Sequence, residues 1–273
     1  MILYKYSTIG KRDNNEDQYI TCMNINEKNA NYNKINLLGV FDGHGGGVVS
    51  KFLKNIFLEI FMNKNNKYNN NKIKYSYNKS LNIDKLIYIF NFIQKELETV
   101  HPKAINYCGS TACVIIEYIE EVTSLRNILV LNLGDSRCIK CNDKDIGEVL
   151  TNDHKPNKPS EKKRIIDLGG NIIFDGFDWR IKGLSLSRAF GDLDCRPYVI
   201  NEPDVYKYKI SKTDKFIVLA CDGLWDVVSN QDVVDFILNS INNKFKGNIA
   251  KELAIHAYNI GSTDNITIII YLL

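Results

Sequence analysis

Acidic residues stand at the ends of apolar runs throughout this chain, and that coincidence constrains the fold more than any other feature. Five runs, LLGVF (37–41), CVIIEYI (113–119), ILVLNLG (128–134), FIVLACD (216–222) and ITIIIYLL (266–273), are short, rich in β-branched residues and bounded by Gly, Asp or Asn. Such runs read as buried strands. Asp42 and Asp222 each close a run and are each followed by glycine, and Asp135 follows a third in LNLGDSR. Asp264, in STDN, instead precedes the last run, as Glu16 and Asp17 precede the strand-like QYITCM. Side chains at the ends of some strands and the starts of others meet at one edge only if those strands run antiparallel.

Six acids gathered at one edge cannot all ionise without counter-charge. Hard divalent cations supply it, and Mg²⁺ and Mn²⁺ prefer carboxylate, carbonyl and water oxygens. The stretch FDGHGGG (41–47) adds His44 and a run of glycines to the first acid. A glycine after the acid lets its carbonyl approach a cation with no Cβ in the way. Any one of these Asp-Gly pairs alone is a common turn. Their coincidence around a histidine favours a site.

Helical periodicity occupies 48–62, 84–100, 160–168, 231–242 and 248–260. Between the first two lies NKNNKYNNNKIKYSYNKSLN (63–82). Its Asn, Lys and Tyr allow an aromatic nucleic-acid arm. A solvated insertion, too polar to bury enough surface to order itself, is the favoured reading. A net charge of +3 over 273 residues is too mild to argue for nucleic acid or an anionic membrane.

No apolar stretch approaches the roughly 18 residues of a membrane span. The polar N-terminus does not resemble a signal peptide, and Ile2 stands where myristoylation needs glycine. Seven scattered cysteines fit a reduced, intracellular protein, cytoplasmic or nuclear. Cys138 and Cys141 form a single CxxC, read as two ordinary strand cysteines rather than a redox or metal pair.

At this point the sequence resembles the metal-dependent protein serine/threonine phosphatases of the protein phosphatase 2C type. The pieces GKRDNNEDQY, VFDGHGG, CGSTAC, LNLGDSR, TNDHKP, EKKRI, LSLSRAFGD, LACDGLWD and STDNIT stand in the family's order from about Ser7 to Ile270. The resemblance implies an α+β fold, a four-layer α/β/β/α sandwich with two central antiparallel sheets and a binuclear metal site at one edge. It implies one catalytic domain over 1–273, acting as a monomer on phosphoproteins. Periodicity alone would equally have allowed an ordinary α/β fold.

The same resemblance assigns roles. Arg12 matches the arginine that binds the substrate phosphate, a task suited to a bidentate guanidinium. Glu16 and Asp17 match an acid pair, the first close to one metal and the second acting through bound water. Asp42 matches the carboxylate bridging two Mg²⁺ or Mn²⁺ ions, Gly43 a carbonyl ligand, and Asp222 and Asp264 ligands of the other ion. Asp135, with Asp222, matches a third, weaker metal site found in parts of the family. Asp226 either joins it or is a helix-start acid. His44 matches the general acid that protonates the departing seryl or threonyl oxygen. The implied chemistry is direct attack on phosphorus by a bridging water activated by the metals, without a covalent phosphoenzyme.

Residues of about 158–200 correspond to the family's flap, in which RIKGLSLSR is one residue tighter than the common RVNGxLAVSR. Arg188 and Asp192 are expected to tie the flap to the core. Ser50 occupies a position where small alanines often pack. Two other readings compete with a protein phosphatase. One is an inactive scaffold of the same fold, which should have lost some of Arg12, Glu16, Asp42, His44, Asp222 and Asp264. The other is a phosphatase of small phosphoesters, although the chain has neither a Walker loop nor a dinucleotide fingerprint.

Overall fold

The computed structural model describes residues 2–25, 32–62, 83–120 and 123–273; the insertion at 63–82 lies outside the described residues. Strands Leu3–Thr8, Ile266–Leu272, Phe216–Ala220, Arg137–Cys141 and Gly147–Val149 form one sheet in that spatial order. Strands Asp204–Lys209, Arg126–Leu133, Ala112–Glu120, Tyr32–Phe41 and Gln18–Ile25 form a second. Every neighbouring pair in both sheets is antiparallel.

The two sheets face each other across a layer built from Leu38, Val40, Ile115 and Val130 on one side and Ile217, Leu219, Ile269 and Tyr271 on the other. Successive side chains of a strand point to opposite faces. Accordingly Phe216, Val218 and Ala220 turn outward, onto the helices Asn230–Asn242 and Ile249–Asn259. The outer face of the second sheet is covered in the same way by Val48–Met62 and Ile83–Val100. The result is a four-layer α/β/β/α sandwich.

Strand geometry also disposes of the CxxC. Three residues apart on Arg137–Cys141, Cys138 joins the layer between the sheets and Cys141 the layer under the helices. Their sulfurs lie on opposite faces and share no ligand. Of the two readings of Asp226, the helix-start one is set aside: it follows the short helix Asp222–Trp225 as its C-cap and starts no helix.

Residues 158–200, the segment matched to the family's flap and called the flap below, contribute no strand to either five-stranded sheet. The flap consists of the helix Pro159–Asp167, an antiparallel hairpin of Ile172–Phe174 with Trp179–Ile181, and the turns that follow. It has its own small core of Ile165, Ile181, Leu186, Ala189, Cys195 and Val199. Arg188 ties it down, reaching Glu161 Oε1 at 2.6 Å and Asp204 Oδ1, on the second sheet, at 3.1 Å.

Candidate active site

Strand register brings the acids together. Gln18 pairs with Phe41, so Asp17 and Asp42 emerge side by side at the same end of the second sheet. Ala112 pairs with Leu133 there, placing Asp135 just beyond. In the facing sheet Ala220 pairs with Ile268, which sets Asp222 beside the turn carrying Asp264. Arg12, Glu16, Asp42, Gly43, His44, Asp135, Asp222 and Asp264 all line one cleft of about 390 Å³. Its far wall comes from the flap, through Arg180, Leu184, Ser185 and Leu186.

Asp17 lies beneath the cleft floor, 2% exposed, and neither of its carboxylate oxygens has a hydrogen-bond partner. Ligand atoms of Asp17, Asp42 and Cys221 lie within 4.8 Å of one another. Burial, with the charge of Asp264 adding to it, pushes Asp17 up to about 6. Burial and then the charges of Asp222, Asp17 and Asp135 hold Asp42 well above the usual carboxylate range. Asp222 is raised in the same way, by burial and by Asp135 and Asp226. A buried carboxylate without a partner is costly, and a hard cation is the natural partner for these carboxylates, while burial and the neighbouring acids push the Cys221 thiol well above its ordinary range. The residues present therefore fit a divalent metal centre.

The loop carrying Arg12 and Glu16 is held over this floor by Asn265. Its Oδ1 accepts the Glu16 N–H at 2.8 Å, and its Nδ2 donates to the carbonyls of Ile9 at 2.8 Å and Asn14 at 2.9 Å. Arg12 Nη2 meets Asp264 Oδ2 at 2.6 Å at the rim. Glu16 Oε2 accepts the Gly46 N–H at 3.1 Å, while its carbonyl accepts the hydroxyl of Ser50. Ser50 thus has a specific use at a position expected to hold a small packing residue. A Cβ on Gly43 would come 2.4 Å from that same carbonyl, so only glycine fits.

His44 Nε2 lies 2.7 Å from Asp192 Oδ2. A small sheet makes this possible: Gly43–His44 and Phe190–Gly191 flank Gly109–Ser110. Burial alone would lower the imidazole, but the Asp192 carboxylate outweighs it and raises His44 above its ordinary range. Asp192 therefore ties the flap to a candidate catalytic side chain rather than to the framework alone. Sequence reasoning also passed over Lys155, whose Nζ meets Asp135 Oδ2 at 2.6 Å. The quoted motif TNDHKP contained it, but a lysine beside a proline reads as surface.

The chain is similar to known proteins along nearly its whole length. The family model described as Protein phosphatase 2C matches residues 6–266. Probable protein phosphatase 2C 59 of Arabidopsis thaliana is 35% identical over 266 residues, covering 97% of this chain and 77% of that protein. Protein phosphatase 1L of Bos taurus is 33% identical over 97% of this chain and 70% of its own length. In fold, the crystal structure of a serine-threonine phosphatase 2C from Toxoplasma gondii superposes with a TM-score of 0.78 at 24% identity, covering 99% of this chain and 94% of that one.

Proposed function

The chain belongs to the protein phosphatase 2C family, and from that premise we propose that it hydrolyses phosphoserine and phosphothreonine in proteins with the help of divalent cations. The observation that carries this reading is the cleft itself, where Arg12, His44 and the carboxylates of Asp42, Asp222 and Asp264 converge from separate segments of the chain.

Asp17, Asp42, Asp222 and Asp264 would hold the ions, with the Gly43 carbonyl and Glu16 beside them and Asp135 toward the flap. Mg²⁺ or Mn²⁺, two of them in this reading, supplies Lewis-acid activation of water and neutralises phosphate charge. The protein's own groups do the rest. Arg12, 58% exposed at the rim, is placed to exchange Asp264 for phosphate oxygens, which a guanidinium holds bidentately. His44, oriented through Nε2 by Asp192, keeps Nδ1 for the departing seryl or threonyl oxygen. Leu184 and Leu186 of the flap offer apolar surface beside the scissile group.

The test compares a phosphothreonine peptide with a sugar phosphate at equal concentration in millimolar Mn²⁺, using wild type and Asp42→Ala. Preference for the peptide, lost in the variant, supports the reading. Preference for the sugar phosphate would move the substrate class to small phosphoesters. Among the described residues no helix is long and apolar enough to cross a membrane.

A further inference from the structure

Lys155 brings a cation of the protein's own into the acid cluster. Its side chain is only 15% exposed, and its Nζ lies 2.6 Å from Asp135 Oδ2 and 3.7 Å from Asp178 Oδ2. Lysine is ordinarily a surface residue with a mobile head group. Here the preceding residue is clamped. The His154 N–H donates to the Gly134 carbonyl at 3.0 Å, and the Gly134 N–H donates to His154 Nδ1 at 3.0 Å. The Ser187 N–H and hydroxyl both donate to the His154 carbonyl, and His154 Nε2 lies 3.2 Å from Asp204 Oδ2.

The loop holding the ammonium is thus tied to the turn holding Asp135. Asp135 shares the cleft with Asp222, and Asp226 follows one turn on, its N–H donating to the Asp222 carbonyl at 2.9 Å.

Resting on the reading of the cleft as a divalent-cation site, we propose that Lys155 is a built-in counter-cation of the outer acids, Asp135, Asp222 and Asp226. A third divalent ion binds there only by displacing the ammonium. An ammonium and a metal ion compete for the same carboxylate oxygens, so the resident cation keeps the outer position weak. The buried floor of Asp17 and Asp42 is left to the inner ions. Asp178, on the flap hairpin, gives the displaced ammonium a carboxylate to move toward. Occupancy of the outer position is thereby coupled to the flap.

The experiment is Mn²⁺ titration of the full chain by isothermal calorimetry, with bound metal counted by elemental analysis. Wild type, Lys155→Met, Lys155→Gln and Lys155→Arg are compared, each with enough Mn²⁺ present to hold the inner ions, so that loss of metal-free stability does not prevent the readout. The outer ion should bind about tenfold tighter or more in the Met and Gln variants, because a like charge close by is removed. It should stay weak in Lys155→Arg. The gain should vanish in Lys155→Met/Asp135→Asn. An outer ion of unchanged or weaker affinity in both neutral variants, with the inner two still bound, would overturn the proposal and leave the functional reading standing. A wild type that takes up no Mn²⁺ would instead overturn the functional reading, and the proposal with it.

Discussion

The Asp192 carboxylate sits 2.7 Å from His44 Nε2, joining a loop at the end of one strand to a flap residue 148 positions away. Asp192 is 2% exposed, so the pair is shielded from solvent on the carboxylate side. Replacing Asp192 by Asn removes the charge that raises His44. A general acid works only while protonated, so the alkaline limit of kcat should move to lower pH. The kcat at neutral pH should fall about tenfold or more with KM little changed. A pH–rate profile of kcat checks both. An unshifted alkaline limb would show that Asp192 does not act through His44.

Gly109 lies between the members of that pair. A Cβ there would come 2.1 Å from Asp192 Oδ2 and 2.4 Å from His44 Nε2. Gly109→Ala must therefore push the two apart. Turnover should fall toward that of His44→Ala while far-UV circular dichroism stays native. Retention of wild-type kcat would show that the pair can separate without consequence.

The carboxylate floor should cost stability when no cation balances it. Asp42 has a folded-state pKa raised above the ordinary carboxylate value by burial and neighbouring charge. A raised acid costs the fold stability: the loss begins as pH climbs through its unfolded pKa, grows up to its folded pKa and persists above it. In EDTA at neutral pH, Asp42→Asn should have a higher Tm than wild type, and it should lose most of the Tm rise produced by Mn²⁺. Calorimetric melts with and without metal measure this. A variant less stable than wild type in EDTA would contradict the unpaired-charge account.

Glu161 ties the flap helix to the segment that carries Arg188. It is 2% exposed and receives Arg188 at Oε1 and Arg164 at Oε2, at 2.6 and 2.8 Å. Burial opposes its charge, but the two guanidinium groups win and lower it to about 2. A lowered acid contributes stability above its unfolded pKa, near 4.5, which is lost as pH falls toward 2. Glu161→Gln should cost about 3 kcal/mol near neutral pH, because two partly buried cations lose their partner. The gap from wild type should close as pH falls through that window. Urea unfolding across the acid range reads the result.

The interior strands were legible because both faces of each are buried. Phe216–Ala220 reads as continuous apolar sequence since one set of alternate residues meets the facing sheet and the other meets helices. That pattern does not distinguish parallel from antiparallel neighbours; the acids at strand ends did. Edge strands were harder. Leu3–Thr8 and Asp204–Lys209 carry lysine and tyrosine in alternation because one side of each is open. Asp42, Asp222 and Asp264 announced themselves through position. The His44–Asp192 pair did not, because two-residue strands far apart in the chain create it. Lys155 was hidden for a similar reason: its neighbours are fixed by His154 and the Gly134 turn, which no local pattern reveals.

The central claim is metal-dependent hydrolysis at this cleft. It is tested most directly by phosphate release from a phosphothreonine peptide with Mn²⁺ and with EDTA, for wild type and Asp222→Ala. The account predicts turnover in Mn²⁺ that EDTA abolishes and that Asp222→Ala lowers by two orders of magnitude or so. Turnover undiminished in EDTA, or no turnover by folded wild type in millimolar Mn²⁺ or Mg²⁺, would contradict it.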